Sequence, residues 1–243
     1  MIQKKKVYAY FDGSNFYHNI KNNYGITSIK FDDICNRMLE LSREELVKIR
    51  YFNCPVNQQE DLQKYADQLR FFENLRKTPF VEISLGKLAR RQLKKININC
   101  TQCGHQKAEY LVCPKCKKNI SVSTCYKSWE KGVDVKLAIN MLLDGLTNKY
   151  DVALLFSGDA DFCPAVRYIV KQLNKEVVYC HFPSPKTNEL IQTCSGKRLI
   201  TRDIVVKSMP NRPASITGPR MPNPCKNIRA TKAKIAREIC ARF

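Results

Sequence analysis

Short apolar runs alternate with amphipathic stretches along most of this chain and predict strands and helices in turn. Val7–Phe11 reads as a first strand, Leu46–Phe52 as a second, and Phe80–Leu85 as a third, opening after Pro79. Val152–Phe156 is continuously apolar, the pattern of a fourth strand buried on both faces of a parallel sheet. Glu176–Phe182 reads as a fifth. Between them, Asp32–Leu41 carries Ile34, Met38 and Leu41 at helical spacing. Gln58–Lys77 places Leu62, Tyr65, Leu69, Phe72 and Leu75 on one helical face. Further helices are predicted over Asp134–Thr147, Asp161–Leu173 and Lys186–Cys194, and an extended segment over Leu199–Val206. Strands alternating with helices imply an α/β domain with a parallel sheet and right-handed crossovers.

The alternation breaks from Lys87 to Lys127 and resumes at Gly132. Residues 1–208 are therefore expected to form one domain, interrupted by an insertion at 97–122. Residues 209–243 are a basic tail, with Pro, Asn and Arg dominating Met209–Pro224. Lys226–Arg242 has Ile228, Ile235 and Ile239 at rough helical spacing, a candidate basic helix. No internal repeat is visible.

Composition narrows the class. The 243 residues suffice for one good-sized domain with additions, and a hydrophobic content of 44% supports a packed core. The formal net charge of +20 favours a polyanionic partner, nucleic acid or an anionic membrane surface. No apolar run approaches a membrane span, and the apolar face of the tail is thin, so nucleic acid is preferred. Asp12 and Asn15 interrupt the apolar stretch that follows the basic N-terminus, so no signal peptide is expected. Of the 12 cysteines, four fall in two CxxC pairs and the rest are scattered, mostly in apolar contexts. That pattern reads as reduced thiols of a cytoplasmic protein with one metal site.

The candidate chemistry lies where strands end. Asp12 follows the first strand; Asp159 and Asp161 follow the fourth, after the small residues Ser157 and Gly158. Asp134 is in the first turn of the helix that leads into the fourth strand. In a sheet of order 3-2-1-4-5 the first and fourth strands are neighbours, and these acids meet at the C-terminal edge where open α/β sheets place their sites. Singly, Asp134 and Asp161 read as helix caps sooner than as ligands, and Asp12-Gly13 as an ordinary turn. Together, crowded carboxylates call for a divalent metal, Mg²⁺ or Mn²⁺, held by oxygen ligands and waters. Such a metal activates water and neutralises charge on a phosphodiester. Asn15 is placed to orient a water or a phosphate oxygen; Ser157 either does the same or caps the turn.

Three segments hold these residues in order: Tyr10-Phe11-Asp12-Gly13-Ser14-Asn15-Phe16, then Glu130-Lys131-Gly132-Val133-Asp134-Val135-Lys136-Leu137-Ala138, then Ser157-Gly158-Asp159-Ala160-Asp161-Phe162 followed by Pro164-Ala165-Val166-Arg167. In order and spacing they resemble the motifs of NYN domains in the PIN-like nuclease superfamily. The resemblance spans Lys5 to Val206. It implies a PIN-like three-layer sandwich on a five-stranded parallel sheet of order 3-2-1-4-5. It also implies metal-dependent ribonuclease activity with Asp12, Asp134, Asp159 and Asp161 as the acidic set. PIN-like nucleases often act as dimers, so a homodimer is a further expectation. One position departs: where family members often carry another Asp, this chain has Asn140, which lowers the negative charge and weakens the case for full activity.

Cys100-Thr101-Gln102-Cys103 and Cys113-Pro114-Lys115-Cys116 are two CxxC hooks separated by nine residues. Two hooks supply tetrahedral S₄ coordination suited to a structural zinc, leaving no open position for chemistry. His105 reads as a substitute ligand or as a surface residue. The insertion is too small for a core of its own, so the metal is expected to fold it. Around it, Arg90, Arg91, Lys94, Lys95, Lys117 and Lys118 are candidate phosphate contacts, or a solvated basic loop. Tyr110, Tyr126 and Trp129 could stack on bases, although Tyr126 and Trp129 read sooner as packing against the domain.

The leading expectation is a metal-dependent endoribonuclease acting on RNA, with DNA not excluded. The alternative is a nucleic-acid-binding adaptor with a weak or inactive site. A phosphohydrolase of small substrates fits the basic excess less well.

Overall fold

The computed structural model describes residues 3–58, 61–92, 95–99, 106–110, 117, 126–184 and 187–210. Its centre is a six-stranded parallel sheet. In chain order the elements begin with β1 (Lys5–Asp12), α1 (Gly13–Tyr24), α2 (Phe31–Met38), β2 (Glu44–Asn53), α3 (Leu62–Arg76) and β3 (Val81–Leu85). Then come β4 (Lys87–Gln92), β5 (Lys95–Asn99), β6 (Gln106–Tyr110) and β7 (Tyr126–Lys131). The chain continues through α4 (Val133–Leu146), β8 (Val152–Phe156), a single 3₁₀ turn at Ala160–Phe162, α5 (Cys163–Gln172) and β9 (Glu176–His181). It ends with α6 (Asn188–Thr193), β10 (Gly196–Leu199) and α7 (Arg202–Lys207).

The sheet order is β10-β9-β8-β1-β2-β3, so β1 and β8 are neighbours at the centre. Period-2 alternation sends Val7, Ala9 and Phe11 into one core and Tyr8 and Tyr10 into the other. In β8, Val152, Leu154 and Phe156 join the first core, and Ala153 and Leu155 the second. The first core is aromatic: Phe11 stacks on Phe156 at 4.0 Å between ring centroids, and Phe16 and Phe31 meet Phe11 edge-on. The second holds Leu137 and Met141 of α4 with Val166 and Ile169 of α5. Helices on both faces of the sheet make the three layers.

Six strands replace the expected five. The sixth, β10, lies within four residues whose partly covered positions are Gly196 and Arg198, not apolar ones. Arg198 pairs with Glu44 at 2.7 Å and with Glu40 at 3.3 Å, which satisfies a charge at the sheet edge. Residues expected to be extended beyond it instead form α7, because the Thr201 side chain caps the N–H of Ile204. The stripe expected on α3 is also narrower than its spacing suggested. Phe72 and Leu75 are buried, whereas Leu62 is 65% and Leu69 42% exposed.

α4 is pinned by a buried charge. Asp144 accepts from Tyr10 at 2.8 Å, pairs with Arg50 at 2.6 Å, and meets Lys149 at 3.1 Å. Arg50 also reaches Glu82 at 2.7 Å, so α4 is tied to β1, β2 and β3 together.

Candidate active site at the C-terminal edge of the sheet

β1 and β8 run in parallel register with Phe11 opposite Phe156, so Asp12 and Ser157 leave the sheet side by side. Asp12 is buried, 5% exposed, and caps α1: one carboxylate oxygen accepts the Asn15 N–H at 3.1 Å. The other accepts the Ser157 hydroxyl at 3.0 Å. The same Ser157 oxygen accepts the N–H of Asp159 at 3.2 Å, so one buried serine links the ends of both strands. Asp159 in turn accepts the Asp161 N–H at 2.9 Å and caps the 3₁₀ turn. The caps are thus Asp12 and Asp159, not the expected Asp134 and Asp161: Gly132 stands at the N-cap of α4, and Asp161 lies within the turn that Asp159 caps.

Asn15 fixes the turn from the other side. Its carbonyl oxygen accepts from Gly158 N–H at 3.0 Å and from the Asn19 amide at 2.8 Å. The Thr187 hydroxyl donates to the Gly158 carbonyl. The oxygen of Asn15 is therefore spent on positioning the Ser157–Gly158 turn. Gly13 is required next to it, because a Cβ there would land on the Tyr51 hydroxyl.

Asp134 stands in the first turn of α4, after Gly132 at φ 79°. It is exposed. Burial raises the Asp12 carboxyl; the Asn15 and Ser157 hydrogen bonds oppose this, and the charges of Asp134 and Asp159 add to it. Asp134 is raised by desolvation, then by Asp159 and Asp161. A fifth acid joins them: Glu130 at the end of β7. Its surface is open, but protein crowds the carboxyl closely enough that burial, and then the Asp12 charge, raises it. Its position in the second motif, four residues before Asp134, was the available signal; distance from any predicted strand end concealed it.

Among the described residues, none of Asp12, Asp134, Asp159 and Asp161 forms an ion pair. Among the same residues, no three His, Cys, Asp or Glu side chains gather so as to enclose a metal ion. The four aspartates are thus brought to one edge without forming a closed coordination shell. Their donor chemistry, hard carboxylate oxygens with like charges uncompensated, is what a hard divalent cation complements. Asn140 is not part of the group; its amide donates to the Lys136 carbonyl one turn back at 2.8 Å.

β4 and β7 form an antiparallel ribbon rooted at this edge, with Lys87 opposite Lys131 and Arg91 opposite Lys127. Arg90 and Arg91 lie on β4, and Lys95 lies on β5, which pairs with β6. These strands were not expected within the basic insertion. Lys117 is exposed with φ 56°. Lys94 and Lys118 lie outside the described residues, as do Cys100, Cys103, Cys113 and Cys116 and residues 211–243 of the tail. Trp129 is 41% exposed. The described cysteines Cys35, Cys54, Cys163, Cys180 and Cys194 are free thiols.

A parallel sheet of this order, with acids converging at its C-terminal edge, is the architecture of the PIN-like nuclease class. The NYN domain model matches residues 6–200, and the chain belongs to the NYN domain family. NYN domains are typically nucleases, and PIN-like nuclease domains generally use divalent metals. A crystal structure of a protein of unknown function from Vibrio parahaemolyticus is similar in fold, with a TM-score of 0.51 and 18% identity, covering 82% of this chain and 95% of that one. No curated protein matches the chain. Among the described residues no helix is long and apolar enough to cross a membrane.

Proposed function

We propose that this NYN domain is a metal-dependent endoribonuclease that hydrolyses phosphodiester bonds at the Asp12 edge. The observation that carries it is the gathering of carboxylates where β1 and β8 end: Asp12, Glu130 and Asp134 are raised there by burial first, and then by the charges of neighbouring acids. Mg²⁺ or Mn²⁺ would be held there by one or two of Asp12, Asp134, Asp159 and Asp161 with retained waters, and when bound it supplies an activated water and charge neutralisation. The chain's own residues do the positioning. Ser157 and the Asn15 N–H hold the Asp12 carboxylate in one orientation, and Ser157 sets the Asp159 turn against it. Asp134 and Asp161 are exposed and so open to a strand of RNA. The basic excess supports a polymeric anion as substrate, with Arg90, Arg91 and Lys95 of the ribbon and hairpin as phosphate contacts. A zinc on Cys100, Cys103, Cys113 and Cys116 is proposed to staple the insertion.

The test uses labelled single-stranded RNA, structured RNA and DNA with Mg²⁺, Mn²⁺ or chelator, comparing wild type with Asp12→Asn and Asp159→Asn. Cleavage of RNA that chelator abolishes and both substitutions cripple is expected. Cleavage surviving either treatment overturns the proposal. Binding without cleavage favours the adaptor reading, for which Asn140 in place of an acid is the specific observation.

A further inference from the structure

A cleft of about 270 Å³ opens between α1, α3 and the end of β2. Its walls are aromatic: Tyr17, Phe31, Tyr51 and Phe71 line it, and Tyr51 meets Phe31 and Phe71 edge-on at 5.2 and 5.7 Å between centroids. Its rim includes Ser14 and Glu130. Gly13 and Ser14 line the cleft directly after Asp12 in the chain, so cleft and acidic edge adjoin.

The lining restricts what can enter. Lys64 and Asp67 are already paired with Asp61 and Arg70. Gln68 spans the Val56 N–H and the Cys54 carbonyl at 2.6 and 2.9 Å, and Asn53 is bonded to Tyr51 and to the Cys54 N–H. Away from Glu130 the interior therefore suits a neutral occupant. One group stands out: the Tyr17 hydroxyl is enclosed without a hydrogen-bond partner among the described residues, and burial raises it. A donor that has given up water and found no partner is a cost that a polar ligand edge removes. A flat, neutral ring with a polar edge meets both demands. The volume lies just under the usual range for small-molecule pockets, about 300–1,000 Å³, which fits one ring system and not a stacked run.

Resting on the nuclease reading, we infer that this cleft receives one unpaired nucleobase of the RNA strand, whose neighbouring phosphate then lies at the acidic edge. The base is held between aromatic walls, with Tyr17 as its hydrogen-bonding partner. The cleft selects for a base that is flipped out or single-stranded, because a paired base cannot enter.

The test is binding of a short single-stranded oligoribonucleotide to the full chain in chelator, by fluorescence anisotropy. One abasic site is walked through every position. Two variants are compared with wild type: Thr27→Trp, which fills the cleft from the connection between α1 and α2, and Tyr17→Phe. One abasic position is expected to weaken binding by about tenfold, the scale of a single base–aromatic contact. Thr27→Trp weakens intact RNA to a similar degree and cancels that abasic penalty. Tyr17→Phe weakens binding several-fold while its melting temperature holds or rises, since removing an unpartnered hydroxyl alone would only stabilise. Should Thr27→Trp fail to fold, Tyr17→Phe with the abasic series decides. Equal binding at every abasic position, or a penalty that persists in full in Thr27→Trp, overturns the cleft. RNA that is cut under Mg²⁺ with uniform abasic penalties defeats the cleft alone. A cancelled penalty without cleavage defeats the nuclease reading alone, and no RNA binding at all defeats both.

Discussion

Asp12 does two jobs with one carboxylate, and the two respond differently to substitution. As a cap it needs an oxygen for the Asn15 N–H, which Asn supplies equally well, while the Asn amide can donate to the Ser157 oxygen in place of accepting from it. As an acid it needs its charge. Asp12→Asn is therefore expected to lower activity on the order of a hundredfold or more while leaving metal-free melting unchanged or slightly raised. Steady-state cleavage and calorimetry on the same preparation check both halves, and a large drop in melting temperature would show that the carboxylate is needed for the fold. Ser157→Ala removes the link between Asp12 and Asp159 and leaves a buried acceptor short of a donor. A cost of about 1–3 kcal/mol in denaturant unfolding is expected, with a fall in activity.

pH acts on the same residues. Asp12, Glu130 and Asp134 are all held above ordinary carboxylate values. In the window above those ordinary values the folded chain binds more protons than the unfolded one, so their contribution to metal-free stability falls as pH rises through the raised values. A bound cation favours the ionised forms and reverses the trend. Added Mg²⁺ is thus expected to raise the melting temperature more at about pH 8 than at about pH 5. Thermal melts with and without metal check this, and a metal effect independent of pH would contradict it.

Among the elements, α4 decides whether Asp134 meets the other acids. Its anchor is Asp144, buried against Arg50, Tyr10 and Lys149 well away from the site. Asp144→Ala leaves Arg50 buried with only Glu82 and is expected to cost about 3–5 kcal/mol, read by urea unfolding. How far the elements could be read from sequence depended on what their inward faces carried. β8 shows five consecutive buried apolar residues and was legible at once. β10 turns Gly196 and Arg198 inward and carried no apolar signal. α1 was hidden because only Gly13, Phe16 and Ile20 of its 12 residues are buried and its sequence is rich in asparagine, a weak helix former. For the site, residues next to a strand end could be placed from topology. Glu130 could not, because its position depends on a ribbon pairing that no periodicity announced.

For the whole molecule, the net charge of +20 favours a polyanionic partner. RNA binding is expected to weaken steeply with added salt, log affinity falling linearly with log salt concentration. A flat salt response in a filter-binding series would remove the electrostatic part of the proposal. Replacing Arg90 and Arg91 together by Ala is expected to shallow the slope by about 1–2.

The antiparallel pairing of Lys87 with Lys131 has a further consequence for how this protein can vary. The chain departs from the sheet beyond β3 and returns just before α4 at the same place, so whatever lies between is a closed excursion. Lengthening a loop costs little once its ends are fixed, growing only with the logarithm of its length. Additions, losses or wholesale exchange beyond the ribbon therefore leave the spacing of Asp12, Asp134 and Asp159 untouched. The excursion works as a cassette: its sequence can be rewritten while the acidic edge of the sheet is inherited unchanged.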